Sequence, residues 1–377
     1  MSMTANHKDI EITQEGKVIS RIVTGDNLRE VIPCLERYRK VYIVHDRNIT
    51  QLADNLSASV RSASPSLVGG ILPIEATERT KDMETVLRIC SSLLEWKADR
   101  DCLVLGIGGG ITTDMVGFAA SIYKRGVKFA FIPTTLLAQV DAAIGGKTGV
   151  NFLHYKNMIG VIRQPEFTFL CPEPLDSLPA RDFTSGCAEL LKTFILDNGP
   201  EDSWYDSACG VLQRIHESAD GVKPFSKELM PFIHAAASVK AGVVSRDQFE
   251  KGERRLLNLG HTFAHAIEHL SASEAKNVPV THGEAVAIGM ILSAKLSAAL
   301  GTAPRDLPGK LAEDFERIGL PSTSPYPLSE MEKAMTLDKK AEGNIVHFVI
   351  PERIGHASIK DLTVKEAIGL ICGQEKR

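Results

Sequence analysis

The feature that most restricts how this chain can fold is a change of rhythm near its middle. Before residue 175, short apolar runs at 41–45, 67–72, 102–106, 129–132 and 168–171 alternate with stretches of helical spacing at about 80–96 and 114–123. Apolar runs this short, rich in Val, Ile, Leu and Phe, read as strands covered on both faces, and the amphipathic segments between them supply the covers. The pattern predicts a parallel sheet with helices packed on it, an α/β layout of the nucleotide-binding kind. After Pro172 and Pro174 no strand-like run recurs until 345–350 and 357–359, which are expected to pair as a small hairpin; between them the spacing is helical at 182–196, 229–245, 257–271, 282–300 and 307–318. Two domains follow, an α/β domain over residues 1–175 and a mostly α-helical domain over 176–377, in keeping with roughly 150 residues per domain. No internal repeat interrupts either half.

Charge and composition remove several function classes. Lys+Arg number 43 against 47 Asp+Glu, the net charge is -4, and no block of five like charges occurs, so a general grip on nucleic acid or an anionic membrane is not expected. The longest apolar stretch, 285–294, is too short to cross a bilayer. The first thirty residues lack the blocks of a signal peptide, and the seven cysteines are scattered, odd in number and nowhere spaced Cys-x-x-Cys. Reduced thiols in a cytoplasmic protein are the expectation.

Three regions carry chemistry. The stretch Leu103-Val-Leu-Gly106-Ile-Gly108-Gly-Gly110-Ile-Thr-Thr-Asp114 sets glycines between a buried strand and a helix start. There the backbone can approach a pyrophosphate and the helix end can stabilise its charge. Ile111 stands where a third fingerprint glycine is usual, and the same residues would also make a plain tight turn. Asp46 and Asn48 follow the first strong strand, either to hydrogen-bond a nucleotide or to cap a helix. Further on, Pro133-Thr-Thr135-Leu-Leu-Ala-Gln-Val-Asp141 leads to Gly145-Gly-Lys147-Thr-Gly149, and Lys156-Asn157 follows nine residues after Lys147. Lysines beside glycine-rich turns are either solvated surface or a grip on phosphate or carboxylate, and two of them point to an anionic substrate.

In the second half, His261 and His265 sit one helical turn apart, and His261, His265, His269 and His282 fall within 22 residues. A His pair at this spacing with a third His from a neighbouring helix is a metal-site pattern. Glu189, in an otherwise apolar helix, is a candidate carboxylate ligand or the partner of Lys192 in an i,i+3 ion pair. Lys240 shares a helical stripe with Ile233, Ala237 and Val244, so it points inward and requires an anion, from a ligand or from an acidic residue of the core.

Taken in order, seven motifs resemble the 3-dehydroquinate synthase family of sugar phosphate cyclases. They are Gly108-Gly-Gly-Ile-Thr-Thr-Asp114, Pro133-Thr-Thr-Leu-Leu-Ala-Gln-Val-Asp141, Gly145-Gly-Lys-Thr-Gly149, Lys156-Asn157, Ala188-Glu-Leu-Leu-Lys192, Asn258-Leu-Gly-His-Thr-Phe-Ala-His265 and His282-Gly-Glu284. The similarity runs from about Asp46 to Lys340. It implies a Rossmann-like N-terminal domain binding NAD through Asp46, Asn48, Glu78, Lys81, Gly109, Gly110, Asp114, Thr134 and Thr135, and a helical C-terminal domain. It also implies a divalent metal, Zn2+ or Co2+, on Glu189, His261 and His282, which moves His265 from the metal to substrate and proton transfer. By the same resemblance Asp141, Lys147, Asn157, Lys192 and His265 are catalytic. Lys156, Lys240, Arg254, Asn258 and Lys340, with Lys339 as the competing choice, bind substrate. Lys147, Lys156 and His265 are assigned to its phosphate end, Lys240 and Arg254 to its carboxylate end.

The implied reaction turns 3-deoxy-D-arabino-heptulosonate 7-phosphate into 3-dehydroquinate and phosphate in the shikimate pathway of aromatic amino acid biosynthesis. Transient oxidation by NAD, β-elimination, reduction and intramolecular aldol closure follow one another, in a homodimer. Three alternatives remain: a metal-dependent polyol or glycerol dehydrogenase of the same architecture, a cyclase for a sugar phosphate without the carboxylate, and a nucleotide-binding protein without activity.

Overall fold

A computed structural model of the chain describes residues 9–153, 155–218, 225–273, 279–339 and 345–374. The chain divides into two compact units, Met1–Leu178 with Ser226–Phe249, and Pro179–Phe225 with Glu250–Arg377. A single boundary at residue 175 therefore misses one excursion, because the helix Ser226–Arg246 belongs with the first unit. Thr13 N donates to Ser245 Oγ at 3.0 Å and Lys240 bonds to Asp141. Helical periodicity announces that one face of this helix is buried, but carries no information about what buries it.

The first unit is built on strands β1 (Ile10–Gln14), β2 (Lys17–Thr24), β3 (Val41–Asp46), β4 (Val68–Ile74), β5 (Leu103–Gly108), β6 (Lys128–Pro133), β7 (Lys147–Phe152), β8 (Tyr155–Ile162) and β9 (Phe167–Leu170). Seven of them form one sheet in the order β1-β2-β9-β6-β5-β3-β4, parallel throughout except for the antiparallel β1–β2 pair. Side chains alternate between two cores: Tyr42, Val44, Val104 and Phe131 point to one face, Val41, Ile43, Leu105 and Ile132 to the other. Since β4 lies on one side of β3 and β5 on the other, the strand order reverses between β3 and β5. Loops leaving the carboxyl ends of strands at such a switch point form the ligand crevice of open α/β sheets. The β7–β8 hairpin stands apart as a second, two-stranded sheet.

In the second unit the helix His282–Ala299 is apolar on nearly every side and buried for most of its length, with Ala180–Leu196, His261–Ser273 and Leu307–Arg317 packed around it. A hairpin of β10 (Ile345–Arg353) and β11 (His356–Thr363) and the helix Val364–Gln374 complete the unit. Two glycines permit the close approaches. A Cβ on Gly283 would lie 1.9 Å from the Ser185 carbonyl oxygen, and Gly260, at φ +80°, would place one 2.8 Å from the Val286 oxygen. The start of His282–Ala299 is fixed by a capping box: Thr281 Oγ1 accepts from Glu284 N, and Glu284 Oε2 accepts from Thr281 N at 2.8 Å. Glu284 also takes two bonds from Arg181, at 2.9 and 2.8 Å. Among the described residues no helix is long and apolar enough to cross a membrane.

Burial alone would raise the Glu284 carboxyl, but the Arg181 and Thr281 hydrogen bonds outweigh it and hold the group below its usual value. Glu284→Gln is expected to lower the unfolding free energy by about 1 kcal/mol at neutral pH. A depressed carboxyl stabilises above its unfolded pKa, so the gap to wild type should narrow as pH falls through the folded value. Urea unfolding midpoints of both proteins at neutral and acidic pH check the amount and the sign.

Candidate active site

Three helices of the second unit bring one carboxylate and two imidazoles together. Ligand atoms of Glu189, His261 and His282 lie within 4.8 Å of one another, the one such group among the described residues. Glu189 comes from the middle of Ala180–Leu196, and its side chain is fully buried. Its Oε1 lies 3.2 Å from His282 Nε2 and 3.8 Å from His261 Nε2, while Lys192 Nζ sits 2.5 Å from Oε2. The i,i+3 ion pair and the cluster with the histidines thus coexist. His265 stands outside this cluster: its ring is nearly perpendicular to that of His261, with centroids 5.7 Å apart, and the residue is exposed. Helical spacing pairs it with His261, yet the cluster takes only His261 from that pair, together with the expected third histidine, His282 of the next helix, and Glu189.

The other face of each ring decides what the cluster can hold. His261 Nδ1 lies 3.1 Å from the Leu259 carbonyl oxygen, and His282 Nδ1 lies 3.4 Å from Glu268 Oε1. Both partners only accept, so both Nδ1 atoms donate and a neutral ring keeps its Nε2 lone pair turned toward Glu189. Burial and the Lys192 charge hold His261 well below its ordinary pKa. Burial also opposes protonation of His282, yet hydrogen bonds to Glu189 and Glu268 outweigh it and raise the ring to about 9. Burial would raise Glu189 as well, but Lys192 and the two imidazoles pull it well below the carboxylate range. Once His282 gives up its Nε2 proton to an incoming cation, two imidazole nitrogens and a carboxylate form the donor set of a catalytic zinc-type site, so the residues fit a divalent cation.

In the first unit the expected dinucleotide residues gather at the carboxyl ends of the parallel strands. Asp46 ends β3, Glu78 and Lys81 follow β4, Gly109 and Gly110 follow β5, and Thr134 and Thr135 follow β6. Asp46 and the glycines flank the switch point. Gly109 is the N-cap of Gly110–Ile122 and offers no side-chain cap, which leaves first-turn N–H groups for an anion. Asp46 also accepts from Asn48 N at 2.9 Å, so the capping role is present too. Lys81, 5% exposed, donates to Asp114 Oδ2 at 2.6 Å and to Asn157 Oδ1 at 2.5 Å. Burial raises the Asp114 carboxyl more than Lys81 lowers it. Asn157 holds a left-handed backbone at φ 54°, and its N–H donates to Asn151 Oδ1, whose amide reaches Glu78 Oε2 at 2.9 Å. Asn151 tethers two expected site residues although neither motif nor spacing marks it.

Asp141 lies in a π-helical turn, Ala138–Ala142, a geometry frequent at functional sites. Its carboxylate pairs with Lys240, which also donates to the Asp141 carbonyl oxygen at 2.7 Å. The chain itself therefore supplies the anion that the inward-facing lysine requires, and burial of Lys240 does not by itself demand a ligand. Lys147 and Lys156, both exposed, sit at opposite ends of the β7–β8 hairpin, since Lys147 opposes Ile162 and Lys156 follows the Phe152–Tyr155 closing pair. They are strand residues and do not converge through one glycine turn. In the second unit Arg254 is buried at 3% exposure, and Asn258 Nδ2 donates to Glu250 Oε1 at 2.5 Å. Glu250 went unnoticed in the sequence because it precedes the motif in an aperiodic loop. Glu268 was not singled out either, although its place seven residues after His261 puts it on the same helix face. Lys340 lies outside the described residues, as does the side chain of Lys339.

Comparison with known proteins follows the same line. Family models described as 3-dehydroquinate synthase N-terminal and C-terminal match residues 71–185 and 186–341. The chain is 43% identical over 298 residues to a 3-dehydroquinate synthase of Pyrococcus abyssi, covering 78% of this chain and 83% of the relative. It is 36% identical over 379 residues to one of Legionella pneumophila, covering 98% of each. Among solved structures, a 2-epi-5-epi-valiolone synthase of Streptomyces hygroscopicus with NAD+ and Zn2+ bound aligns with a TM-score of 0.82 at 28% identity, over 97% of this chain and 99% of that one.

The largely buried Lys81–Asp114 pair, in which Lys81 is the more enclosed partner, gives a prediction independent of any ligand. Lys81→Met should cost about 3 kcal/mol of stability, because it leaves a desolvated carboxylate unpaired, whereas Lys81→Met/Asp114→Leu should recover most of that loss. Guanidinium unfolding of the single and double variants measures both.

Proposed function

Because the chain belongs to the 3-dehydroquinate synthase family, we propose that it converts 3-deoxy-D-arabino-heptulosonate 7-phosphate into 3-dehydroquinate and inorganic phosphate. In this reading it is a carbon–oxygen lyase that uses NAD catalytically and requires a divalent cation, zinc or cobalt. The observation that carries the reading is the Glu189–His261–His282 cluster, a ligand set complete in type and gathered within 4.8 Å. When bound, the cation supplies Lewis acidity and NAD a reversible acceptor of hydride.

The chain's own residues have the remaining tasks. In the first unit, Asp46, Asn48, Glu78, Lys81, Gly109, Gly110, Asp114, Thr134 and Thr135 hold the dinucleotide at the carboxyl edge of the sheet. Lys147 and Lys156 attract the substrate's phosphate from two directions, consistent with their separation on the hairpin. The Asp141–Lys240 pair offers one acceptor and one cation, and Asn157 is held ready by Lys81. In the second unit, Lys192 keeps Glu189 ionised, Arg254 and Asn258 bind polar groups of the substrate, and Lys340 closes the set. His265, exposed one turn from His261, carries the proton that phosphate takes as it leaves. The reaction is redox neutral overall, since the carbon oxidised before elimination is reduced after it. A cytoplasmic homodimer acting on a small sugar phosphate completes the proposal, with neither nucleic acid nor membrane as a partner.

A cyclase for a carboxylate-free sugar phosphate is the reading to set against this one, because Lys240 finds its counter-charge in Asp141 without a substrate carboxylate. The expected outcome is phosphate release from the heptulosonate phosphate that stops with chelator and returns with Zn2+ or Co2+. No net NADH absorbance should accumulate. Faster release from a heptulose phosphate lacking the carboxylate would overturn the assignment, and steady NADH accumulation would indicate a dehydrogenase. Lys240→Met should lower kcat/KM by roughly 30- to 1000-fold, the equivalent of about 2–4 kcal/mol.

A further inference from the structure

The two imidazoles of the cluster are supported differently. His261 is anchored by a backbone carbonyl, that of Leu259, at 3.1 Å. His282 has a carboxylate behind it: Glu268 Oε1 lies 3.4 Å from Nδ1, and the Glu268 side chain is only 10% exposed. Glu268 belongs to the helix His261–Ser273, seven residues after His261, so one helix supplies a ligand of its own and supports the ligand of its neighbour. The charges sharpen the difference. The single carboxylate among the three ligands is already offset by Lys192 at 2.5 Å, which leaves the site with little net negative charge for a dication. Glu268 brings a second negative charge to within one imidazole of the cluster.

We propose that Glu268 is a positioning residue for metal binding: it holds His282 in the tautomer and orientation that direct Nε2 to the cation, and it supplies the negative charge that Lys192 removes from Glu189. A carboxylate behind a ligating histidine raises the donor strength of the ring, and loss of such a partner typically costs 10- to 100-fold in metal affinity. The inference rests on Glu189, His261 and His282 being the metal ligands.

The test uses the full chain, stripped with chelator and titrated with Co2+ and Zn2+ against a chromophoric chelator. Glu268→Ala should weaken both metals by about 10- to 100-fold. Glu268→Gln fills the same space and keeps an acceptor for Nδ1–H but lacks the charge, so it should lose less than the alanine variant and alter the visible spectrum of bound Co2+ less. Binding of NAD by the first unit should be unchanged in both. If Glu268→Gln and Glu268→Ala hold metal as tightly as wild type while the metal-free protein melts earlier, Glu268 is structural support only and the proposal fails. A His282→Ala chain that binds Co2+ as tightly as wild type would instead overturn the ligand assignment, and the inference would fall with it.

Discussion

A fully buried carboxylate is costly unless opposite charge compensates it, and Glu189 concentrates that requirement on a few atoms. Lys192 meets it from the same helix, one turn on. His282 meets it from a second helix and the neutral His261 ring adds a polar neighbour from a third; their close approach is permitted where Gly260 and Gly283 leave room for the backbone of a neighbour. Ser185 Oγ accepts from Gly283 N at 3.0 Å, which seats the start of the His282 helix against the helix that carries Glu189. The His-Gly-Glu motif thus resolves into three jobs: His282 faces the cluster, Gly283 permits contact, and Glu284 caps the helix and holds Arg181. Packing and chemistry are the same problem in this unit, because the contacts that exclude water from Glu189 also aim the rings at it.

The first unit solves a different problem. Its sheet gathers loops from four neighbouring parallel strands on one edge, and the β7–β8 hairpin is tied to that edge by Asn151 and Asn157. Lys81 is shared between Asp114, at the start of the Gly110–Ile122 helix, and Asn157 of the hairpin. Residues that the resemblance separates into cofactor and substrate groups are therefore one hydrogen-bonded network, and a shift in either group is felt by the other.

Much of this was legible in the sequence where burial imposes a strong period. The parallel strands β3, β5, β6 and β9 and the helices carrying Glu189, Lys240, His261 and His282 fall where apolar spacing puts them. The β10–β11 hairpin also forms as expected. The β7–β8 hairpin did not announce itself, because most of its second strand is exposed and its residues need not alternate. The helices Thr50–Ala63, Trp204–Glu217, Leu328–Lys339 and Val364–Gln374 were missed as well. His261, a third histidine from the neighbouring helix and Glu189 were candidates by residue pattern alone; only the removal of His265 needed the resemblance, because helical spacing pairs it with His261 as readily as the cluster excludes it. The partner of Lys240 lies 99 residues away, beyond what any local pattern encodes.

The assignment of Ser226–Phe249 to the first unit bears on how the chain is made. During synthesis, the sheet strands and the Asp141 turn leave the ribosome long before the helix that packs on β1 and carries Lys240. Domains generally fold as units, beginning from the N-terminus while translation continues. The earlier unit nonetheless waits for a segment that emerges after the Glu189 helix of the later one, so two partly built cores coexist on the nascent chain, one with its Asp141 carboxylate still lacking the lysine that pairs with it.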